Sequence, residues 1–144
     1  MAIAAAGYSG TPLAHKLGLK DGQRVLFIGL PAALSGLATS RQFAESSQRD
    51  AGHLGTARPG YDVIHVFTSA RAALEALVRP LMDLVARNGM IWVSWPKKSS
   101  KVPTDITEDV IREVVLPLGL VDVKVCAVDE VWSGLKLVIR KELR

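Results

Sequence analysis

The sequence predicts a three-layer α/β domain of Rossmann-like type, with a mostly parallel sheet and a C-terminal antiparallel β-hairpin. Short apolar runs at residues 25–30, 61–67 and 90–95 have the composition of strands that are covered on both faces. Helical patterns separate these runs, and an alternation of strands and helices is typical of a parallel sheet with right-handed crossovers. Two further segments, 121–128 and 135–141, alternate apolar and polar residues, and the six residues between them predict an antiparallel hairpin.

The chain of 144 residues has the length of one domain, which we place at residues 11–144, after a flexible tail at residues 1–10. Its composition, 49% hydrophobic and 22% charged, is that of a globular protein. A net charge of +4 permits an anionic ligand, whereas nucleic-acid binding would require a concentrated basic stripe. No apolar run approaches the roughly 20 residues that span a bilayer, so we expect no membrane association. The single cysteine, Cys126, excludes an internal disulfide and predicts a cytoplasmic protein.

The first third of the chain predicts one helix, one strand and a long loop. Thr11 and Pro12 favour the start of a short helix, because a proline at the first helical position loses no hydrogen bond. The first apolar strand follows, and residues 31–43 predict a helix that Gly36 weakens. The segment 45–60 is rich in Ser, Gln, Asp, Gly and Arg and predicts a mobile loop.

The longest helix is predicted at residues 71–87, between the second and third apolar strands. Its apolar residues recur at helical spacing along one face. Ser69 is placed to cap its start, and Asn88-Gly89 is typical of a helix end. The strand at 90–95 then opens into a polar, basic loop.

A further helix and the hairpin complete the predicted fold. Asp105, followed three residues later by Glu108, resembles a capping box, and Pro117 and Gly119 end the helix. In the first strand of the hairpin, apolar and polar residues alternate. The residues of that strand that we expect to face the core are Val121, Val123, Val125 and Ala127.

A candidate binding site is predicted where the carboxyl ends of the parallel strands meet, because ligands of open α/β sheets bind in that crevice. The loops after residues 30, 67, 95 and 128 should emerge there together. They carry cations, hydroxyls, two carboxylates and an aromatic ring, which suit a small anionic ligand or an acidic protein segment. In the alternative interpretation the lysines form a solvated loop that pairs with Asp129 and Glu130. The residues of this candidate site are Thr68, Ser69, Arg71, Lys97, Lys98, Ser99, Ser100, Lys101, Asp129, Glu130, Trp132 and Ser133.

The other residues with reactive chemistry favour structural roles. Cys126 and His65 both fall inside predicted strands, where a buried residue is the better interpretation than a nucleophile or base. Trp92 and Trp95 are three residues apart in one strand and should pack on opposite faces. The three histidines show no metal-ligand spacing, and no phosphate loop, dinucleotide fingerprint or nucleophile elbow is present. We therefore predict no catalytic residue, no metal site and no cofactor.

Three motifs carry a resemblance to a bacterial family of unknown function. They are Gly-Tyr-Ser-Gly-Thr-Pro-Leu-Ala at residues 7–14, Trp-Pro-Lys-Lys at 95–98, and Asp-Glu-Val-Trp-Ser-Gly-Leu-Lys at 129–136. The resemblance spans nearly the whole chain and implies no particular activity.

The predicted layout also resembles a shortened class I methyltransferase. That family has a Gly-rich turn after the first strand, an acidic residue at the end of the second strand that holds the cofactor ribose, and a C-terminal hairpin. Here the turn has the single glycine Gly29, Asp50 falls in the predicted loop, and two strands are missing from the prediction. These departures argue against S-adenosylmethionine binding, and fold alone does not carry function.

The sequence therefore favours a non-enzymatic module that binds a small anion or a protein partner. The first alternative is a diverged transferase, methyltransferase-like, that acts on an anionic substrate at the edge between Lys97 and Trp132. The second alternative is weak nucleic-acid binding.

Overall fold

A computed structural model describes the chain from residue 10 to residue 144, with side chains from Leu13 onward. The predicted flexible tail therefore lies outside the described residues, apart from Gly10. Gly10 is the first residue of helix α1 (Gly10–Lys16), so this helix begins before the predicted start at Pro12.

The described residues contain a mostly parallel sheet with a C-terminal antiparallel hairpin, as the sequence predicts, and it has six strands where the sequence predicts five. The strands are β1 (Arg24–Ile28), β2 (Glu45–Arg49), β3 (Tyr61–Phe67), β4 (Val85–Pro96), β5 (Leu120–Ala127) and β6 (Trp132–Ile139). Their order in the sheet is β2-β1-β3-β4-β6-β5. The pairs among the first four strands are parallel, and β6 pairs antiparallel with both β4 and β5.

Helices cover both faces of this sheet and give the predicted three layers. Helices α2 (Arg71–Leu84) and α3 (Glu108–Val115) pack on one face, and α1 packs on the other. The second face is completed by a 3₁₀ helix, Ala32–Thr39, where the sequence predicts a helix over 31–43. Shorter 3₁₀ turns lie at Lys98–Ser100, Leu116–Leu118 and Lys141–Leu143. None of the helices in residues 10–144 is long and apolar enough to cross a membrane.

Two separate apolar clusters, one on each face, form the core. Trp95 belongs to the cluster beneath α2 and α3, and Trp92 belongs to the cluster beneath α1. The placement of the two rings on opposite faces is therefore confirmed. The indole N–H of Trp92 donates to the carbonyl of Leu17 at 3.0 Å, which ties α1 to the centre of the sheet.

Strand β2 corrects the prediction of a mobile loop over residues 45–60. Its sequence, Glu-Ser-Ser-Gln-Arg, has no apolar residue, so no hydrophobic period marks it. It lies at the edge of the sheet and forms because its backbone pairs in parallel with β1 over its whole length. Backbone pairing rather than side-chain burial therefore defines this strand.

The boundary between α2 and β4 also differs from the prediction. The helix ends at Leu84, and Asn88-Gly89 lies inside β4, where the register with β3 shifts. A Cβ on Gly89 would lie 2.9 Å from the carbonyl oxygens of both Tyr61 and Asp62. The glycine is required by the close approach of two strands and does not end the helix.

Neither of the two helix caps forms as the sequence predicts. Ser69 does not cap α2. Instead, a carboxylate oxygen of Asp105 accepts the backbone N–H of Arg71 at 2.7 Å. Helix α3 is capped by Thr107, whose side chain accepts the N–H of Val110 at 3.2 Å. Asp105 therefore caps the start of α2 at Arg71, 34 positions earlier in the chain. A local sequence pattern cannot indicate such a contact.

The predicted inward face of β5 is wrong. A register shift against β6 between Asp122 and Lys124 reverses the alternation. Val123 and Val125 are 52% and 48% exposed, and Ala127 is exposed as well. Cys126 is buried, which confirms the prediction of a packed residue there.

Candidate functional site

A cavity of about 200 Å³ opens at the carboxyl ends of β1 and β2. This is the edge of the sheet at which open α/β folds bind ligands. The strand order reverses beside it, because β2 lies on one side of β1 and β3 on the other. The residues that line the cavity are Gly29, Leu30, Gln48, Arg49 and Asp50.

Gly29 forms the turn that closes one wall of this cavity. Its φ of 70° lies in the left-handed region, and its N–H donates to the carbonyl of Arg49 at 3.0 Å. A Cβ at this position would lie 2.8 Å from the carbonyl oxygen of Phe67. Both the backbone conformation and the space require glycine, so the turn brings bare backbone to the cavity.

Asp50 is the first residue after β2, and its carboxylate is exposed at the cavity. It follows Gly29 by about 20 residues, the distance along the chain at which Rossmann-like folds place the carboxylate that binds a ribose hydroxyl. The imidazole Nδ1 of His53 lies 3.8 Å from it. The guanidinium of Arg49 donates to the hydroxyl of Thr56, which fixes the segment after β2.

Sequence reasoning missed this cavity because it assigned Asp50 to a loop. The spacing between Gly29 and Asp50 was the signal that could have found it. The structure places Asp50 directly after the second strand.

The other end of the same edge carries the predicted basic loop, residues 97–101. The backbone N–H of Lys97 donates to the carbonyl of Val131 at 2.7 Å, and Pro96 pairs with Trp132 across β4 and β6. The structure therefore places the Trp-Pro-Lys-Lys and Asp-Glu-Val-Trp segments side by side. That these segments bind a ligand stays a prediction.

Two of the predicted site residues, Thr68 and Ser69, form backbone hydrogen bonds to neighbouring segments. The N–H of Thr68 donates to the carbonyl of Ser94 at 3.0 Å, and the carbonyl of Ser69 accepts the hydroxyl of Thr104 at 2.7 Å. These bonds tie the end of β3 to its neighbours at the edge of the sheet.

The side chain of Arg71 forms ion pairs with two glutamates. Its guanidinium pairs with Glu75 at 3.1 Å and with Glu113 at 3.0 Å, and so joins α2 to α3. The N–H at the start of α2 that could orient an anion is already occupied by Asp105. The guanidinium of Arg71 is therefore engaged by two carboxylates, and its binding of a ligand stays a prediction.

The carboxylate of Asp129 is used within its own turn. One of its oxygens accepts the N–H groups of Val131 and Trp132 at 2.8 and 2.7 Å. In the described part of the chain, no ion pair joins a carboxylate to Lys97, Lys98 or Lys101. The alternative in which Asp129 and Glu130 neutralise the lysines is not what the structure shows.

Trp132 begins β6 and does not lie in the connecting loop. It is half-buried, and its ring meets the ring of Phe67 edge-on, with centroids 5.3 Å apart. The aromatic ring therefore folds back onto the end of β3. Ser133 follows it in β6 opposite Trp95, while Ser99 is exposed on the basic loop.

His65 lies on β3 in the interior of the sheet, behind this edge. Its Nε2 and the hydroxyl of Ser94 are 2.7 Å apart, and its ring stacks on Phe67. Burial lowers the pKa of His65 to about 3, so the imidazole is neutral in the folded protein. This geometry makes His65 a packed, hydrogen-bonded residue. Among the residues that the structure describes, no group of His, Cys, Asp and Glu is arranged to hold a metal ion.

No protein-family model and no curated protein matches the chain. The resemblance to a bacterial family of unknown function therefore stays a prediction from its three motifs.

Solved structures do match, and several are S-adenosylmethionine-dependent methyltransferases. One from Aquifex aeolicus superposes with a TM-score of 0.66 at 15% identity and covers 89% of this chain and 88% of its own. Fibrillarin from Aeropyrum pernix, solved with natively bound S-adenosylmethionine, gives 0.61 at 15% identity over 88% and 73%. The tRNA methyltransferase TrmK from B. subtilis gives 0.60 at 12% identity over 89% of this chain and 64% of its own. The chain therefore has the fold of Rossmann-like methyltransferases, and it spans less than two thirds of TrmK.

Proposed function

We propose that the chain is a diverged methyltransferase-like protein that binds S-adenosylmethionine at the cavity between Gly29 and Asp50. The observation that carries this proposal is the position of that cavity, at the carboxyl ends of β1 and β2 with a carboxylate directly after β2. The fold shared with S-adenosylmethionine-dependent methyltransferases supports it and favours it over the non-enzymatic module that the sequence suggested.

The residues around the cavity suit the nucleoside half of the cofactor. Asp50 would accept hydrogen bonds from the ribose hydroxyls, and Gly29 lets the ligand approach the backbone closely. The amide of Gln48 adds a donor and an acceptor, and Leu30 adds an apolar contact. The cavity is smaller than the roughly 300–1,000 Å³ of ligand pockets, so the rest of the cofactor would extend over the open edge of the sheet.

Bound there, S-adenosylmethionine would supply a methyl group already activated on a sulfonium sulfur. The chain's own contribution would be to hold and orient the two reactants. In this proposal the methyl acceptor is an anionic molecule that approaches from the β4–β6 side, where the lysines of the basic loop have no carboxylate partner within the described residues.

A second candidate function is the non-enzymatic binding module. Two features favour it. Pro31, just after the single-glycine turn, has no backbone N–H. The segment after β1 also forms a 3₁₀ helix instead of a regular α-helix. These features leave fewer backbone donors at the turn than a glycine-rich loop offers.

For both candidate functions we place the protein in the cytoplasm, because its only cysteine is buried and unpaired.

Isothermal titration with S-adenosylmethionine and with S-adenosylhomocysteine tests the proposal. We expect wild-type protein to bind both, and Asp50→Asn to weaken binding by about tenfold or more, because a charged hydrogen-bond acceptor is lost. The matched control is Asp83→Asn. Asp83 is exposed on α2, directly before Leu84. The carbonyl of Leu84 accepts the backbone N–H of Gly60, which precedes β3, so Asp83 lies near the end of β3 opposite the cavity.

Absence of binding at millimolar cofactor would end the methyltransferase proposal. Equal affinities of the Asp50 and Asp83 variants would show that the cavity is not where the cofactor binds.

A further inference from the structure

We propose that the basic loop, residues 97–101, docks an acidic segment of a partner protein. The proposal rests on the proposed function only in naming that partner as the methyl acceptor. The docking itself follows from the order of the loop, the lack of an ion-pair partner for its lysines among the described residues, and the apolar residues that follow it.

The loop is a fixed turn. Its backbone N–H groups at Ser100 and Lys101 donate to the carbonyls of Lys97 and Lys98 at 3.0 and 3.2 Å. The hydroxyl of Ser100 donates to the carbonyl of Lys97 at 2.7 Å, and Val131 anchors the start of the turn. Because the backbone is already ordered, a partner that binds here loses little conformational entropy in the loop.

Lys101 ends this turn in the left-handed region, with a φ of 63°. It is the position at which glycine or asparagine would be the easier residue. Residues held in such sparsely populated backbone conformations cluster at functional sites.

Among the described residues, no neighbouring carboxylate forms an ion pair with the lysines of the loop, and Glu130 is exposed in the adjacent turn. Asp129 is bound to backbone N–H groups of its own turn, and Asp105 is bound to the start of α2. Lys98 and Lys101 are exposed, and Lys97 is half-buried. Charge complementarity at this edge of the sheet therefore calls for an anionic partner.

The chemistry of the loop favours carboxylates over nucleic acid. Val102, which follows the last lysine, is 42% exposed, and Pro103 beside it is exposed too, so the loop offers an apolar contact as well as charge. Among the described residues, the large exposed apolar side chains include no aromatic ring on which a base could stack. An acidic segment with interspersed apolar residues fits these features.

Fluorescence anisotropy with a short labelled peptide of alternating glutamate and leucine, in the absence of cofactor, tests the proposal. We expect wild-type protein to bind it, with an affinity that falls as salt rises. The variant Lys97→Ala with Lys98→Ala should lose about tenfold in affinity, since each exposed ion pair contributes a small factor. The single variant Lys101→Asn should also reduce the affinity for the peptide. Asparagine tolerates the left-handed backbone, so we expect the turn to be kept.

The matched control is Lys20→Ala with Lys141→Ala, which removes the same charge from exposed lysines at the other end of the strands. It should bind the peptide as wild type does. An equal loss in both double variants, no binding of the glutamate peptide, or equal binding of a glutamine analogue would overturn the proposal. Tighter binding of a single-stranded homopolymeric RNA would identify nucleic acid as the occupant instead. Because cofactor is absent, these outcomes are independent of the titration with S-adenosylmethionine.

Discussion

At the amino ends of the parallel strands, Arg24 and Glu45 are fully engaged with one another and with their neighbours. Their side chains pair at 3.0 Å, and the hydroxyls of Ser47 and Tyr61 donate to the other oxygen of Glu45 at 2.7 and 2.8 Å. The guanidinium also lies over the ring of Tyr61, 4.5 Å from its centroid. At the carboxyl ends, by contrast, Asp50 is exposed and the lysines of the basic loop have no described carboxylate partner.

The contrast separates two uses of charge in one small domain. Where charges are paired and hydrogen-bonded, they hold strands together and their removal should cost stability. Where they are exposed without such a network, at the edge of the sheet where we propose that ligands bind, their removal should cost binding and little else. Substitutions at the two ends can break or sharpen this contrast.

The largest effect is expected for Trp95→Ala, which removes a buried ring just before the basic loop. Trp95 is 8% exposed and belongs to the core beneath α2 and α3. We expect a loss of about 3–5 kcal/mol in the free energy of unfolding, measured by urea denaturation. A loss below about 1 kcal/mol would mean that the carboxyl end is less firmly packed than the structure indicates.

Gly29→Ala should cost about 1–3 kcal/mol, because the new methyl group meets the carbonyl of Phe67 and the backbone is left-handed there. The same denaturation experiment measures it. Gly36→Ala is the matched control, since nothing lies within 4 Å of a Cβ at that position. Equal stability of the two variants would show that the turn after β1 adapts.

Glu45→Gln should cost about 1 kcal/mol near neutral pH and should flatten the acid side of the stability profile. Hydrogen bonds from Ser47, Tyr61 and Arg24 lower the pKa of Glu45 from 4.5 to about 2. Because the folded-state pKa is depressed, this stabilisation is complete above about 4.5 and is lost as pH falls toward 2.

The burial of His65 also makes the free energy of unfolding decrease as the pH falls, over a different pH range. Its pKa falls from 6.5 to about 3, so it contributes stability above pH 6.5 that declines as the pH drops toward 3. In Glu45→Gln that decline should remain while the further loss below pH 4.5 disappears. Thermal melts of both proteins between pH 7 and 3 compare the two profiles, and identical profiles would contradict the role given to Glu45.

The smallest effect is expected for Lys97→Ala with Lys98→Ala, within about 0.5 kcal/mol of wild type. Neither side chain forms an ion pair with a described carboxylate, so differential scanning calorimetry should find nearly the same Tm. A clear fall in Tm would mean that the lysines support the fold and that the contrast between the two ends is wrong.

The features that the sequence predicted well are those with a hydrophobic period. Strand β3 matches its predicted bounds, and the apolar runs of β1 and β4 are both strands. Their apolar side chains are buried on both faces, so composition alone marks them. The C-terminal hairpin and the placement of Trp92 and Trp95 on opposite faces were predicted from the alternation of side chains along a strand.

The features that the sequence missed depend on contacts between distant segments. Strand β2 has no apolar residue and exists through its pairing with β1, so the cavity beside Asp50 was not anticipated. The bulge in β5 moved Val125 to the exposed side, and Asp105 caps a helix 34 positions away. Local periodicity carries no information about any of these.

The polar edge strand β2 also determines how occupancy of the cavity could be detected. Its residues alternate between half-buried and exposed, and it has a neighbour on one side only. Such a strand should open often, and its amide protons should exchange with deuterium sooner than those of β3. A small molecule seated against Gln48 and Asp50 would bind the closed form and slow that exchange. Deuterium uptake at Glu45–Arg49 could therefore serve as a direct screen for ligands, with no need to know the reaction.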